Sequence, residues 1–238
     1  MRKPLLRHWQ PEVRRITSAG FQSAPENQAR VQSKGEKSRQ VILGAALECI
    51  AKNGLHRLTH RSIAAQAGVP VSLTTYFFSS LDDLIAQAFD HFVLQTVEHN
   101  NSLLRNAAEY IDAIPLSERN IPAVRRQIHA KISRMIVDFI MDGVALNSTI
   151  GAVEVNFFYL YQRDASLQQR VSMHHDRVRD GIADVMRQLL LEHADTDASL
   201  LLGTIHRLEF DCINNAKTPS RKRVVAEIER LLSLILGV

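Results

Sequence analysis

Two short stretches of helical periodicity meet at Gly68-Val69-Pro70, a junction that confines this part of the chain to a tightly turned helix pair. Before the junction, Thr59 is a good N-cap, and Ile63, Ala64 and Ala67 follow at helical spacing. Gly68 can take a positive φ, and Pro70 presets the backbone for a new first turn. The segment after it, Val71–Phe78, is short and stops at Ser79-Ser80. Ser80 can cap a further helix from Leu81, with Asp82 and Asp83 favourable against its positive end.

The same periodicity extends in both directions. Ile42, Ala45, Ala46, Cys49, Ile50 and Asn53 share one helical face, and Gly54 suits the end of that helix. Its start is predicted at a capping box, Ser33-Lys34-Gly35-Glu36, or at Ser38. Pro4, Pro11, Gly20 and Pro25 interrupt residues 1–33, which read as a flexible arm. Downstream, helical patterns cover 81–110, 121–142, 147–163, 165–193, 197–215 and 220–236. No strand alternation and no internal repeat intervene. The expected fold is all-α: an arm at 1–33, an N-terminal three-helix helix-turn-helix domain at 34–80, a connecting helix at 81–96, and a larger helical domain at 97–238.

Charge narrows the function. Residues 1–39 carry nine basic and three acidic side chains, while the whole chain nets only +4. A basic arm ahead of a slightly acidic body suits a polyanionic partner, nucleic acid first, although a merely solvated tail has the same composition. No apolar run approaches the ~18 residues of a membrane helix. No apolar core follows the basic N-terminus, so a secretory signal is not expected. Cys49 and Cys212 lie far apart with no metal-ligand spacing, which fits core packing in a reducing cytoplasm. The chain lacks a Gly-rich phosphate loop, a nucleophile elbow and a His-Glu metal pair. His174 and His175 are adjacent, so on a helix they diverge and make poor joint ligands. The expectation is a non-enzymatic cytoplasmic protein with no metal and no cofactor.

The helix pair supplies the chemistry of a DNA reader. Thr74 and Phe78 lie four apart and can face inward with Val69, leaving Val71, Ser72, Thr75 and Tyr76 outside. That outer face offers hydroxyls and small apolar groups for phosphate oxygens, bases and thymine methyls. Arg61 can grip guanine bidentately or clamp a phosphate. Candidate DNA contacts are therefore Thr59, His60, Arg61, Val71, Ser72, Leu73, Thr75, Tyr76 and Phe77. Thr59 can equally serve only as a cap, and Tyr76 and Phe77 as core.

Leu58, Thr59, Arg61, Ile63, Ala64, Ala67, Gly68, Val69, Phe78, Ser80 and Leu84 together resemble the signature of the tetracycline-repressor (TetR) family, with Asp82 where that family has Glu. Pro70 stands where Ser is common, Ser72 replaces Gly, and Thr74-Thr75 replaces Leu-Tyr, so Tyr76 is expected to take over from the usual Tyr. Leu81 occupies the place of a phosphate-touching Lys. The resemblance implies a repressor that binds a palindromic double-stranded DNA operator as a homodimer and is released by a small-molecule effector. It also implies that 97–238 is a regulatory and dimerisation domain. Its effector pocket is expected among His129, Met135, Phe139, Asn156, Phe157 and Tyr161. Its dimer face is expected at Leu201, Ile205, Leu208 and Cys212, then Val224, Ile228, Leu231, Leu232 and Ile235, though these stripes also suit the monomer's own core. Ordinary core packing competes for the pocket aromatics too. A DNA-binding protein without an effector, a regulator acting through a partner protein, and an activator stay open as alternatives.

Overall fold

A computed structural model describes residues 26–146, 148–160, 165–214 and 221–238. Among the described residues every regular element is helical. The order is α1 (Glu26–Asn53), a 3-10 turn (Leu55–Arg57), α2 (His60–Ala67), α3 (Val71–Phe77), α4 (Leu81–Asp112) and α5 (Pro122–Leu146). Then follow α6 (Ser148–Val155), a π-helical turn (Asn156–Leu160), α7 (Ala165–Gln188), α8 (Ala194–Asn214) and α9 (Arg221–Leu236). None of these helices is long and apolar enough to cross a membrane.

Two units divide the chain, residues 1–40 and 41–238. In the first, α1 is already helical at Glu26, ahead of both Ser33 and Ser38, so neither serine starts it. Residues 26–34 hold no proline or glycine and are rich in Glu, Gln, Ala, Arg and Lys, all good helix formers. Gly35 costs about 1 kcal/mol relative to Ala and does not stop the run. The remainder of the expected arm, 1–25, lies outside the described residues.

In the second unit, one core joins the α1–α3 region to the helices beyond it. Ile42, Ala46, Ile50, Ile63, Phe78, Leu84 and Phe89 pack with Val153, Phe157, Leu167 and Val171. A second core lies between α5, α7, α8 and α9, and holds Leu201, Ile205, Leu208, Cys212, Val224, Ile228 and Leu232. Leu231 and Ile235 pack against it. Seven of the nine residues expected at a dimer face are thus buried in the chain's own interior, while Leu231 and Ile235 are only partly buried. An amphipathic helix has one broad apolar stripe, and α8 and α9 use theirs on α5 and α7. Among the described side chains, the exposed large apolar groups on these two helices are Leu200, Phe210 and Leu234.

Arginines close two helix ends. Arg119, itself buried, donates from Nε to the Ile114 carbonyl (3.0 Å) and from Nη1 to the Gln188 carbonyl at the end of α7 (2.6 Å). Arg125 donates to the Leu236 carbonyl at the end of α9 (2.7 Å). A guanidinium here meets carbonyls with no helical partner and the negative end of the helix dipole.

Candidate nucleic-acid interface and ligand cavity

Thr59 caps α2 through a reciprocal box. The Ser62 amide donates to Thr59 Oγ1 (3.0 Å), and the Thr59 amide donates to Ser62 Oγ (3.0 Å). Gly68 ends α2 at φ 66°, ψ 31°, the left-handed region where a side chain is strained. Pro70 stands as the residue before α3 rather than inside it.

Thr74 anchors α3 from below. It is wholly buried, and its hydroxyl donates to the Val71 carbonyl (2.7 Å). With that proton committed, the 3.1 Å approach of His60 Nδ1 makes the imidazole the donor to Thr74 Oγ1. His60 therefore ties α2 to α3. Phe78 is buried, and Leu73, Phe77 and Leu81 pack partly against the same core. Leu81 thus turns toward the interior.

The opposite face is open. Arg61, Val71, Ser72, Thr75 and Tyr76 are exposed, Tyr76 at 79%, as is Thr59 at the cap. Tyr76 meets the Phe77 ring edge-on at 5.1 Å, which braces it from one side. Of the nine sequence candidates, six share the accessible side, while His60, Leu73 and Phe77 are partly withdrawn. One further cation was overlooked. Arg57 is exposed in the 3-10 turn just ahead of the Thr59 cap, and that sequence position was its only signal.

Within the larger set of helices, a cavity of about 320 Å³ opens between α4, α5, α6, α7 and α8. Phe92, Phe139, Phe158 and Ile205 give it apolar walls, and Glu154, His174, His175, His206 and Glu209 bring polar groups. Phe158 stacks with both the His174 and His206 rings, at centroid distances of 6.1 and 5.4 Å. Glu154 Oε1 lies 3.3 Å from His206 Nε2. Burial raises the Glu209 carboxyl well above the usual carboxylate range, and the Glu154 charge adds to the effect. Burial lowers His174 and His175 below the ordinary histidine range, favouring neutral imidazoles.

Among the five expected pocket residues that are described, only Phe139 lines this cavity. Met135 borders a smaller apolar cavity of about 70 Å³. His129 sits within 2.9 Å of the Glu229 carbonyl and so joins α5 to α9. Tyr161 lies outside the described residues. Asn156 and Phe157 turn away, toward the α1–α4 core. Asn156 Oδ1 accepts from the Leu55 amide (3.4 Å), and Phe157 packs edge-on against Phe89 (5.0 Å). His174 and His175 correct an assumption, since these adjacent residues both line the cavity. A wide cavity touches more than one narrow stripe of α7.

Comparison with known proteins agrees with this layout. Residues 42–88 match the model of bacterial regulatory proteins, tetR family. No curated protein matches the chain. Several solved structures share its fold. A TetR transcription regulator from Haloarcula marismortui has a TM-score of 0.62 at 12% identity, covering 84% of this chain and 98% of its own. A transcriptional regulator from a Rhodococcus species has a TM-score of 0.59 at 21% identity, covering 84% and 96%. A protein from Saccharomonospora viridis in complex with choline has a TM-score of 0.59 at 17% identity, covering 83% and 96%.

Proposed function

We propose that the chain, whose residues 42–88 match the tetR-family model, is a DNA-binding transcription regulator that represses transcription as an effector-released homodimer on a palindromic operator. The observation that carries this reading is the open face of α3. Val71, Ser72, Thr75 and Tyr76 stand exposed beside Arg61, while Thr74 and Phe78 are buried beneath them. A short helix held from one side and bare on the other can enter a major groove. Ser72 and Thr75 supply hydroxyls, Val71 an apolar surface for a thymine methyl, and Arg61 a bidentate donor. Thr59 and Tyr76 flank them. His60, Leu73 and Phe77 act by holding α3 in place.

Two such heads about 34–36 Å apart read the halves of a palindrome. The seven buried apolar residues of α8 and α9 named above are unavailable for pairing, so the second copy docks on their outward sides, around Leu200, Phe210 and Leu234. Leu234→Arg is expected to shift the chain from dimer to monomer in light scattering.

The cavity takes the effector, and its wall supplies a route to the DNA-binding helices. Glu154 and Phe158 face the cavity, while their neighbours Val153, Asn156 and Phe157 pack into the core that contains α1–α4. A ligand that moves this turn has contacts on both sides through which to shift α4 and the reading heads. The choline complex with the same fold is a precedent for a small molecule in such a protein.

The first test is selection from random duplex DNA at stated salt. Recovery of a palindrome, with preference relaxed at one position by Arg61→Ala, is the expected result. A folded protein that enriches no motif overturns the operator reading. Transcription in vitro from a promoter overlapping the selected site should fall when protein is added, whereas a rise would make it an activator.

A further inference from the structure

We propose that the cavity binds one divalent transition-metal ion, held by the carboxylates of Glu154 and Glu209 and by Nε2 of His206. One donor atom from each residue lies within 4.8 Å of the others. The 3.3 Å between Glu154 Oε1 and His206 Nε2 is close to a tetrahedral edge, which is about 3.3–3.6 Å for bonds of about 2.0–2.2 Å. His206 and Glu209 are three apart on α8 and therefore share one helix face. Glu154 approaches from α6. Helices, rather than loops, fix all three ligands.

The surroundings call for a cation. Two carboxylates enter a largely apolar enclosure, and no lysine or arginine lines it among the described residues. Like carboxyl groups set close together either keep a proton or hold a cation. An independent sign of a missing ligand comes from His174. This residue is only 8% exposed, lines the same cavity, and its Nδ1 has no hydrogen-bond partner. Native proteins rarely leave such a buried group unpaired. The His175 ring stands 5.7 Å from that of His206, so a second imidazole is close to the ion's remaining positions.

The donors select the kind of ion. Nitrogen and carboxylate oxygen without thiolate suit Zn²⁺ and its neighbours such as Mn²⁺, Fe²⁺ or Ni²⁺, and disfavour soft Cu⁺. An organic cation is the rival occupant, because aromatic rings also line the wall. Phe158, however, is already engaged with two imidazoles, and the approach of a carboxylate to His206 Nε2 has no role in holding an organic cation. Three protein ligands leave a coordination position facing the rest of the cavity, as in open zinc sites. The regulatory meaning of the ion rests on the effector reading of this cavity; its binding does not.

The test uses untagged, chelator-stripped full chain. Equilibrium dialysis against Zn²⁺ should give one ion per chain, and Co²⁺ should give a visible spectrum without a thiolate band, which excludes Cys49 and Cys212. Glu154→Gln, His206→Gln and Glu209→Gln should each weaken binding at least tenfold, and His193→Gln, an exposed histidine outside the cavity, should not. No stoichiometric ion, a thiolate band, or equal binding by the three variants overturns the proposal. Choline bound by the metal-free chain and lost in those variants would also overturn it, in favour of an organic cation. Operator affinity is measured separately with and without Zn²⁺. Binding of the ion with unchanged operator affinity keeps the site but removes its effector role, while release of DNA supports both.

Discussion

Asn156 offers the sharpest test of how the cavity wall is joined to the DNA-binding helices. Its Oδ1 accepts from the Leu55 amide at 3.4 Å, and its Nδ2 donates to the Ala152 carbonyl at 2.8 Å. Both Asn156 and Leu55 are almost fully buried, so water does not replace the bond when the side chain is removed. In Asn156→Ala the Leu55 N–H becomes a buried donor with no acceptor, a cost of about 1–3 kcal/mol. The long 3.4 Å contact places this case near the lower end, at about 1–2 kcal/mol. For a domain of this size that corresponds to about 2–4 °C of melting temperature per kcal/mol. The local readout is more specific. Hydrogen exchange at Leu55 should quicken by about tenfold, since about 1.4 kcal/mol is one decade. Arg61→Ala, at an exposed position of α2, should leave that exchange unchanged. A variant that melts earlier but keeps Leu55 protected would show that the side chain matters for packing alone. Unchanged melting and unchanged exchange would refute the link itself.

Two glycines give a graded pair. A Cβ at Gly68 meets nothing within 4 Å, so Gly68→Ala should cost only the left-handed backbone penalty, about 1–2 kcal/mol by urea denaturation. Gly54, at φ 75° and ψ 163°, sits in a positive-φ region that is essentially reserved for glycine, and its Cβ would stand 3.3 Å from Asn156 Oδ1, so Gly54→Ala should destabilise more; the reverse order would be contrary evidence. Arg119→Ala removes charge-assisted bonds to the Ile114 and Gln188 carbonyls and should cost about 2–4 kcal/mol, with a melting temperature within 1 °C of wild type counting against the capping role. Burial raises the thiol pKa of both Cys49 and Cys212, so the folded protein should react with a thiol reagent far more slowly than the urea-unfolded one at pH 8. Equal rates would contradict their burial.

The DNA-binding half was legible because its constraints are local. Thr59 caps within three residues, Gly68 turns within one, and Thr74 and Phe78 share a face through a four-residue interval, so spacing alone carries the geometry. Where local rules were weak, the structure departs. Ser33 and Ser38 have capping chemistry but sit in a run of good helix formers that continues through them. The single pattern at 147–163 divides into α6 and a π-helical turn, a change of hydrogen-bond register that apolar periodicity does not encode. The same limit governed α8 and α9, whose apolar stripes were visible although what they pack against was not. A stripe specifies burial without naming the partner, and here α5 and α7 of the same chain supply it.

The cavity shows a deeper reason why the helices beyond α3 resisted reading. Its walls come from five helices, and its polar groups meet only because α6, α7 and α8 converge. His206 and Glu209 do stand at helical i, i+3 spacing, a pairing common on solvated helix faces and uninformative until Glu154 is set opposite. The turn after α6 acts in the same non-local way, with Asn156 and Phe157 committed to the core around α1–α4 and Phe158 touching both that core and the cavity. Chemistry at Glu154 and packing at Asn156 are two residues apart, so whatever repositions one carboxylate acts on a backbone that also holds Leu55. The cavity wall and the core around α1–α4 thus have a short covalent path between them, and its two ends can be cut independently by Glu154→Gln and Asn156→Ala.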